Sequence, residues 1–229
     1  MSNTITPTAP SRVMGGVTVI DTPLVRSALA YARKHASEQI YNHVVRSWLF
    51  ASVISPQLHR AGDVDQEIMA AALILHDLGW DPTGELVSKD KRFEVDSANA
   101  ARDFLRNEAL EWDEYKLQLV WDSIALHSTA SIALYKEPVV AASCMGILAD
   151  ISGPDRAIGG VLTWDIYNQI IAEFPTLGLK DDIKEIFCNF CRTKPETTYD
   201  NFLAEFGEKF VEGYSREGKG AVDFMLAPI

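Results

Sequence analysis

Two adjacent residues, His76 and Asp77, close an apolar run in LILHDLG, residues 73–79. An imidazole and an ionised carboxylate side by side suit a divalent Zn, Fe or Mn ion, and such an ion offsets the cost of burying the carboxylate. Neighbouring positions on a helix point about 100° apart, so both can reach one ion only at a helix end or bend. Gly79 supplies that setting. A second nitrogen donor is available at His43 in YNHVVR, and a second carboxylate at Asp150, the last residue of GILAD before SGPD. Taken singly, His43 reads as a satisfied buried histidine and Asp150 as a helix-end carboxylate. Together the four form a His-His-Asp-Asp set, which gives the metal reading its weight.

Helices must position these residues. LVRSALAYARKHA follows Pro23 as a first helix, and SEQIYNHVVRSWLFASVI begins near Ser37 with Glu38 and Gln39 in its first turn. VDQEIMAAALILHDLG has Asp65 as a cap and Ile68, Ala71, Ala72 and Leu75 as its apolar face. An antiparallel pairing of these two segments would bring His43 to His76. Further helical patterns run through EVDSANAARDFLRNEA and WDEYKLQLVWDSIALHS, where Trp112, Leu119 and Ile124 point inward, and through PVVAASCMGILADIS. After the break SGPDRAIGG come TWDIYNQIIAEF, KDDIKEIFCNFCR and TYDNFLAEFGEKFVEGY, whose aromatic residues read as helix and core contacts. Strand alternation does not persist anywhere, so the expected class is all-α. The expected organisation is a flexible arm over residues 1–20, a helical domain over 21–215 and a tail over 216–229.

Composition narrows the function classes. The chain has 229 residues with 21 basic against 32 acidic side chains, a formal charge of −11. Such a surface repels a nucleic-acid backbone, and the longest basic element, KDKR at 89–92, is short and interrupted by an aspartate. The N-terminal residues lack the pattern of a secretory signal, and no apolar run approaches membrane-spanning length. The expectation is an intracellular, cytoplasmic protein that binds neither nucleic acid nor membrane. Cys144, Cys188 and Cys191 do not make a disulfide framework. The CNFC pair alone falls two ligands short of a structural zinc site and reads as reduced thiols on a helix.

With these motifs in view, the chain resembles the HD-domain superfamily of metal-dependent hydrolases: a histidine, then His-Asp, then a distant aspartate on a helical bundle. The resemblance is closest to the cyanamide hydratase branch, in YNHVVR (41–46), LILHDLG (73–79), RFEV (92–95) and IALH (124–127). GILAD and IIAEFP extend it over roughly residues 38–176. It implies an all-α HD-domain bundle with His43, His76, Asp77 and Asp150 as metal ligands, zinc first and Fe2+ or Mn2+ next. It further implies His127 as an active-site histidine and Glu94 as an acidic group near the metal, both joining Asp77 in the catalytic set. The sequence departs from the branch around WDPTGELVSKDK, the expected pocket loop. The implied activity is hydration of a small cyanamide- or nitrile-like molecule. Alternatives are an HD-domain phosphohydrolase acting on a nucleotide or other phosphomonoester, and a non-catalytic helical interaction protein.

Residues around the set take supporting roles. His127 would shuttle protons, since a neutral imidazole titrates near working pH. Glu94 would orient a histidine or water, while Asp96, two positions on, lies on another side of its helix. Arg46, one turn after His43, could pair with a carboxylate, and Tyr41 and Asn42 could support the ligand geometry. Lys89 and Arg92 could attract an anion or form a solvated face. His35, in RKHASE, and His59, in PQLHRAGD, read as surface or turn residues. The expected partner is a small-molecule substrate, and homo-oligomerisation stays open.

Overall fold

Helix starts follow the side chains that can cap them. Thr22, Ser37, Asp65, Asp113 and Thr163 each turn an oxygen onto a backbone N–H of the first turn that follows. The computed structural model describes residues 9–58, 64–157 and 160–227. In chain order the elements are the strands β1 (Ser11–Met14) and β2 (Val17–Ile20), then α1 (Pro23–Lys34), α2 (Glu38–Ile54) and α3 (Gln66–Leu75). Next are α4 (Phe93–Glu108), α5 (Glu114–Ala125), α6 (Ala130–Ala133) and α7 (Pro138–Ser152). α8 (Trp164–Glu173), α9 (Leu179–Thr193), α10 (Leu203–Phe210) and α11 (Ala221–Met225) follow. The fold is all-α, with one two-stranded antiparallel sheet among the described residues. None of the helices there is long and apolar enough to cross a membrane.

The expected flexible arm over residues 1–20 holds this strand pair in its described part, residues 9–20. Ser11 pairs with Ile20 and Met14 with Val17, closing on Gly15 and Gly16, whose φ angles are +53° and +75°. Two consecutive positive φ angles are what a tight hairpin turn needs, so these glycines mark a turn rather than flexibility. The Gly15 N–H donates to Glu173 at 2.7 Å, which pins the hairpin to α8. Residues 1–8 lie outside the described residues. In the segment 216–229, α11 is exposed along its length.

The centre of the bundle is α3. Every residue from Ile68 to Leu75 is buried, so this helix is apolar on all sides and not only on the face read from its periodicity. α2 and α7 pack closely around it. Gly146 makes their approach possible, because a Cβ there would lie 2.4 Å from the Ser47 carbonyl oxygen. The segment 198–214 is helical only over Leu203–Phe210; Asn201 accepts the Leu203 N–H, so the chain before it is turn.

A second, smaller core joins α9 and α10 to the start of α4: Phe187, Phe190, Cys191 and Leu203 pack with Phe93. Cys188 and Cys191 are buried on α9, and the Cys191 thiol donates to the Leu203 carbonyl. This unit is tied to the loop before α4 by buried Lys194, whose Nζ donates to Asp96 at 2.8 Å and to the carbonyls of Ser88 and Lys91. Replacing Gly146 with alanine should therefore cost about 1–3 kcal/mol through overpacking of α2 against α7. Denaturant unfolding should show a lower midpoint; an unchanged midpoint would mean the two helices do not approach so closely.

Candidate metal centre

Helix α3 ends at Leu75, so the His-Asp pair lies in the cap and the turn beyond it. His76 keeps near-helical angles, and Asp77, at φ −109° and ψ 21°, does not. The break swings Asp77 around towards its neighbour's ring, which an unbroken helix would forbid. Gly79 holds the turn by close approach: its N–H donates to Ser97 at 2.8 Å, and a Cβ would sit 2.3 Å from the Phe93 carbonyl oxygen. Glycine is required there for contact with α4, not for a left-handed helix end.

From α2, His43 reaches the same point. Its Nε2 lies 3.2 Å from His76 Nε2 and 3.4 Å from Asp77 Oδ2, while His76 Nε2 is 3.1 Å from that oxygen. All three residues are buried. Donors held at about 2.0–2.1 Å from one ion sit roughly 3.0–3.4 Å apart in octahedral or tetrahedral arrangements, so the spacing fits a shared cation.

Proton placement agrees. His76 Nδ1 is 2.8 Å from the Leu73 carbonyl and His43 Nδ1 is 2.6 Å from Asp150 Oδ2, both of which accept. In the neutral rings each Nδ1 therefore carries the hydrogen, and both Nε2 lone pairs face one another. Both carboxylate oxygens of Asp77 are buried without a hydrogen-bond partner. Two opposed lone pairs and an orphaned carboxylate form an unstable arrangement until a cation lies among them. Burial favours neutral Asp77, yet His76 in its doubly protonated form, facing the carboxylate at 3.1 Å, outweighs it and holds the carboxyl below its ordinary range, a positive charge that a bound cation would supply to the neutral rings.

Asp150 does not join the donors. Arg46, one turn after His43 on α2, grips it through Nε to Oδ1 at 2.6 Å and Nη2 to Oδ2 at 2.7 Å. Oδ2 also accepts from His43 Nδ1, so the carboxylate lies on the ring edge away from the cluster. The expected four-ligand set becomes three converging donors with Asp150 behind one of them. The physical reason is the fully buried Arg46, whose bidentate pairing, with the bond from His43, takes three of the carboxylate's lone pairs and holds it on the Nδ1 side of the ring. Arg46 also donates to the carbonyls of Phe174 and Pro175, and Asn42 donates to Pro175, fastening the chain that leads into α9.

His127, just past α5, is buried with its ring 5.0 Å from that of His76. Its Nδ1 lies 2.6 Å from the Ile124 carbonyl, again leaving Nε2 as the unprotonated nitrogen of the neutral ring. Burial, reinforced by the adjacent His76, pushes its pKa down. Glu94 is fully buried at the start of α4, where it accepts from Arg92 and from Ser128, the residue after His127. Burial would raise its pKa, but the Arg92 hydrogen bond prevails and keeps it ionised.

Other candidates lie elsewhere. Asp96 is occupied by Lys194 and the Ser88 N–H. Lys89 is exposed, and Tyr41 lies under the Arg33 guanidinium. His35 is buried rather than on the surface: it meets Asp81 at 3.2 Å, because Asp81 organises the turn after Trp80 by also accepting from Thr83 and Leu86. With exposed Glu85 those two form a second metal-capable group, but Asp81 is already satisfied by the turn. His59 lies outside the described residues.

A cavity of about 510 Å³ opens onto His43, His76, Asp77 and His127, with Trp80, Phe93, Ser128, Phe187, Phe202 and Phe206 among its walls. The aromatic residues of α9 and α10 had read as core contacts alone. Only the fold shows that these late helices return to the site. Residues 40–150 match the family model of the HD domain. The matched HD-domain segment spans all three donors and Asp150, and it supports the superfamily of metal-dependent hydrolases as the setting of this site. No curated protein matches the chain.

Divalent metal should stabilise the folded chain by mass action, about 2.7 kcal/mol at a hundred times its dissociation constant. Substituting Asp77→Ala should abolish the metal-induced rise in melting temperature. A D77A protein that keeps the full rise would place the ion elsewhere.

Proposed function

We propose that the chain is a metal-dependent hydratase that adds water to the electrophilic carbon of a small nitrile-type molecule, cyanamide being the simplest, with one ion held by His43, His76 and Asp77. Zinc suits two imidazoles and a carboxylate, and Fe2+ or Mn2+ would also fit. Bound there, the ion supplies Lewis-acid chemistry: it polarises an electrophile and makes water more acidic.

The chain's own residues supply proton handling. His127 Nε2 accepts a proton from the attacking water, since Nδ1 is already committed to Ile124 and burial keeps the resting ring neutral. The same nitrogen returns that proton to the substrate nitrogen, so water adds across the carbon–nitrogen triple bond and no group leaves. Ionised Glu94 beside His127 stabilises the transient imidazolium. Asp150 holds the His43 tautomer that leaves Nε2 free.

The observation that favours this reading over phosphate-ester hydrolysis is that, among the described residues, Lys180 is the one lysine or arginine side chain lining the cavity, so beyond the ion itself little positive charge is built into it. Arg92 is spent on Glu94 at 2.7 Å, Lys89 does not line the cavity, and the basic residue that does, Lys180, is exposed. Away from the ion and Lys180, a phosphoryl group would meet aromatic and aliphatic walls that offer its remaining charge no partner.

Metal-loaded protein should form urea from cyanamide. His127→Ala should lower kcat by roughly 10²–10⁴-fold, the usual share of a positioned acid–base group, with metal content unchanged. Release of phosphate from a nucleotide panel without urea formation would establish the competing activity instead.

A further inference from the structure

We propose that the physiological substrate is not a three-atom nitrile but a molecule with an aromatic or branched aliphatic body, seated along the wall formed by α9, α10 and α7. The proposal rests on the hydratase reading above and adds the substrate class.

Size is the first argument. A cavity of about 510 Å³ falls within the roughly 300–1,000 Å³ of pockets that enclose whole organic ligands. The second is how the lining is divided. Polar groups gather at the donor end, whereas the rest of the wall is Trp80, Phe187, Phe202 and Phe206 with Ile147, Leu148, Ile151 and Ile183, and exposed Lys180 as its one charged member. A charged or strongly polar body would lose its hydration along the apolar side chains and find only Lys180 as a charged partner there.

The third argument separates a binding surface from ordinary core. Phe93 and Phe187 are buried as core residues are, but Leu148 and Ile151 keep 39% and 38% of their surface exposed. Phe202, Phe206 and Ile183 are partly exposed as well. A row of apolar side chains left open to a cavity that ends on a metal-donor cluster matches an apolar ligand with one reactive end. Trp80 continues the row to the site: its ring lies parallel to His43 at 6.3 Å and packs against Phe93 and Phe187. The body would therefore run from beside His43 outward between α7 and α9.

The test uses the full chain loaded with zinc and a graded set of probes: cyanamide, acetonitrile, butyronitrile, hexanenitrile and phenylacetonitrile. Amide or urea formation is measured for each, and dissociation constants are measured by calorimetry on the zinc-loaded His127→Ala chain, in which turnover should be slow enough not to interfere. Binding should tighten by about fourfold per buried methylene along the alkyl series. Phenylacetonitrile should bind at least a hundredfold more tightly than cyanamide. Phe202→Ala should reduce the preference for phenylacetonitrile over cyanamide by about tenfold, the discrimination a single apolar contact can supply. A binding gradient without amide formation would support the apolar site while overturning the hydratase reading. Urea formation from cyanamide with a flat gradient would overturn the apolar-body proposal and leave the hydratase reading intact.

Discussion

The buried contact between Arg46 and Asp150 governs the site. Its carboxylate holds the Nδ1 hydrogen of His43, which turns Nε2 towards His76 and Asp77. Burial alone would favour a neutral Asp150; the hydrogen bonds from His43 and Arg46 reverse that and keep it ionised. Removing one partner of such a pair leaves an uncompensated buried charge, typically a loss of about 3–5 kcal/mol. Arg46 also fixes the carbonyls of Phe174 and Pro175, so one side chain orients a metal donor and fastens the chain entering α9. Donor geometry and cavity wall thus share an anchor.

A second anchor acts from the other side. Lys194, at the end of α9, reaches Asp96 on α4 and two carbonyls of the intervening loop. The smaller aromatic core is thereby held against the site by buried polar contacts at both ends of α9, with apolar packing between. Such an arrangement favours a preformed chamber, in which the substrate meets walls already in place. It also explains why buried Asp96 and Arg46 are not themselves at the reacting end: their hydrogen-bonding capacity is used in building it.

Much of this was legible in the sequence, and the limits have physical causes. Capping residues and apolar periodicity located α1 to α5 and α7 to α9 closely, because local chain preferences and burial agree there, while the single turn of α6 went unread. The pair His76-Asp77 announced itself because adjacent donors demand a helix end. Asp150, expected among the ligands, instead pairs with Arg46 and the Nδ1 edge of His43: sequence does not say which edge of an imidazole a carboxylate meets, and Arg46 sets that in three dimensions. His35 was misread for a similar reason, since its burial depends on the turn around Asp81. The hairpin was missed because two four-residue strands joined by two glycines carry almost no periodicity. The aromatic wall was visible only as helical spacing, because its role depends on a long-range return of α9 and α10 to α4.

The most direct test of the account is anomalous diffraction from crystals of the chain soaked in zinc. The account predicts one peak within bonding distance of His43 Nε2, His76 Nε2 and the Asp77 carboxylate, with Asp150 still paired to Arg46. A peak bound by the Asp150 carboxylate with Arg46 released, or no ion at this cluster, would contradict it.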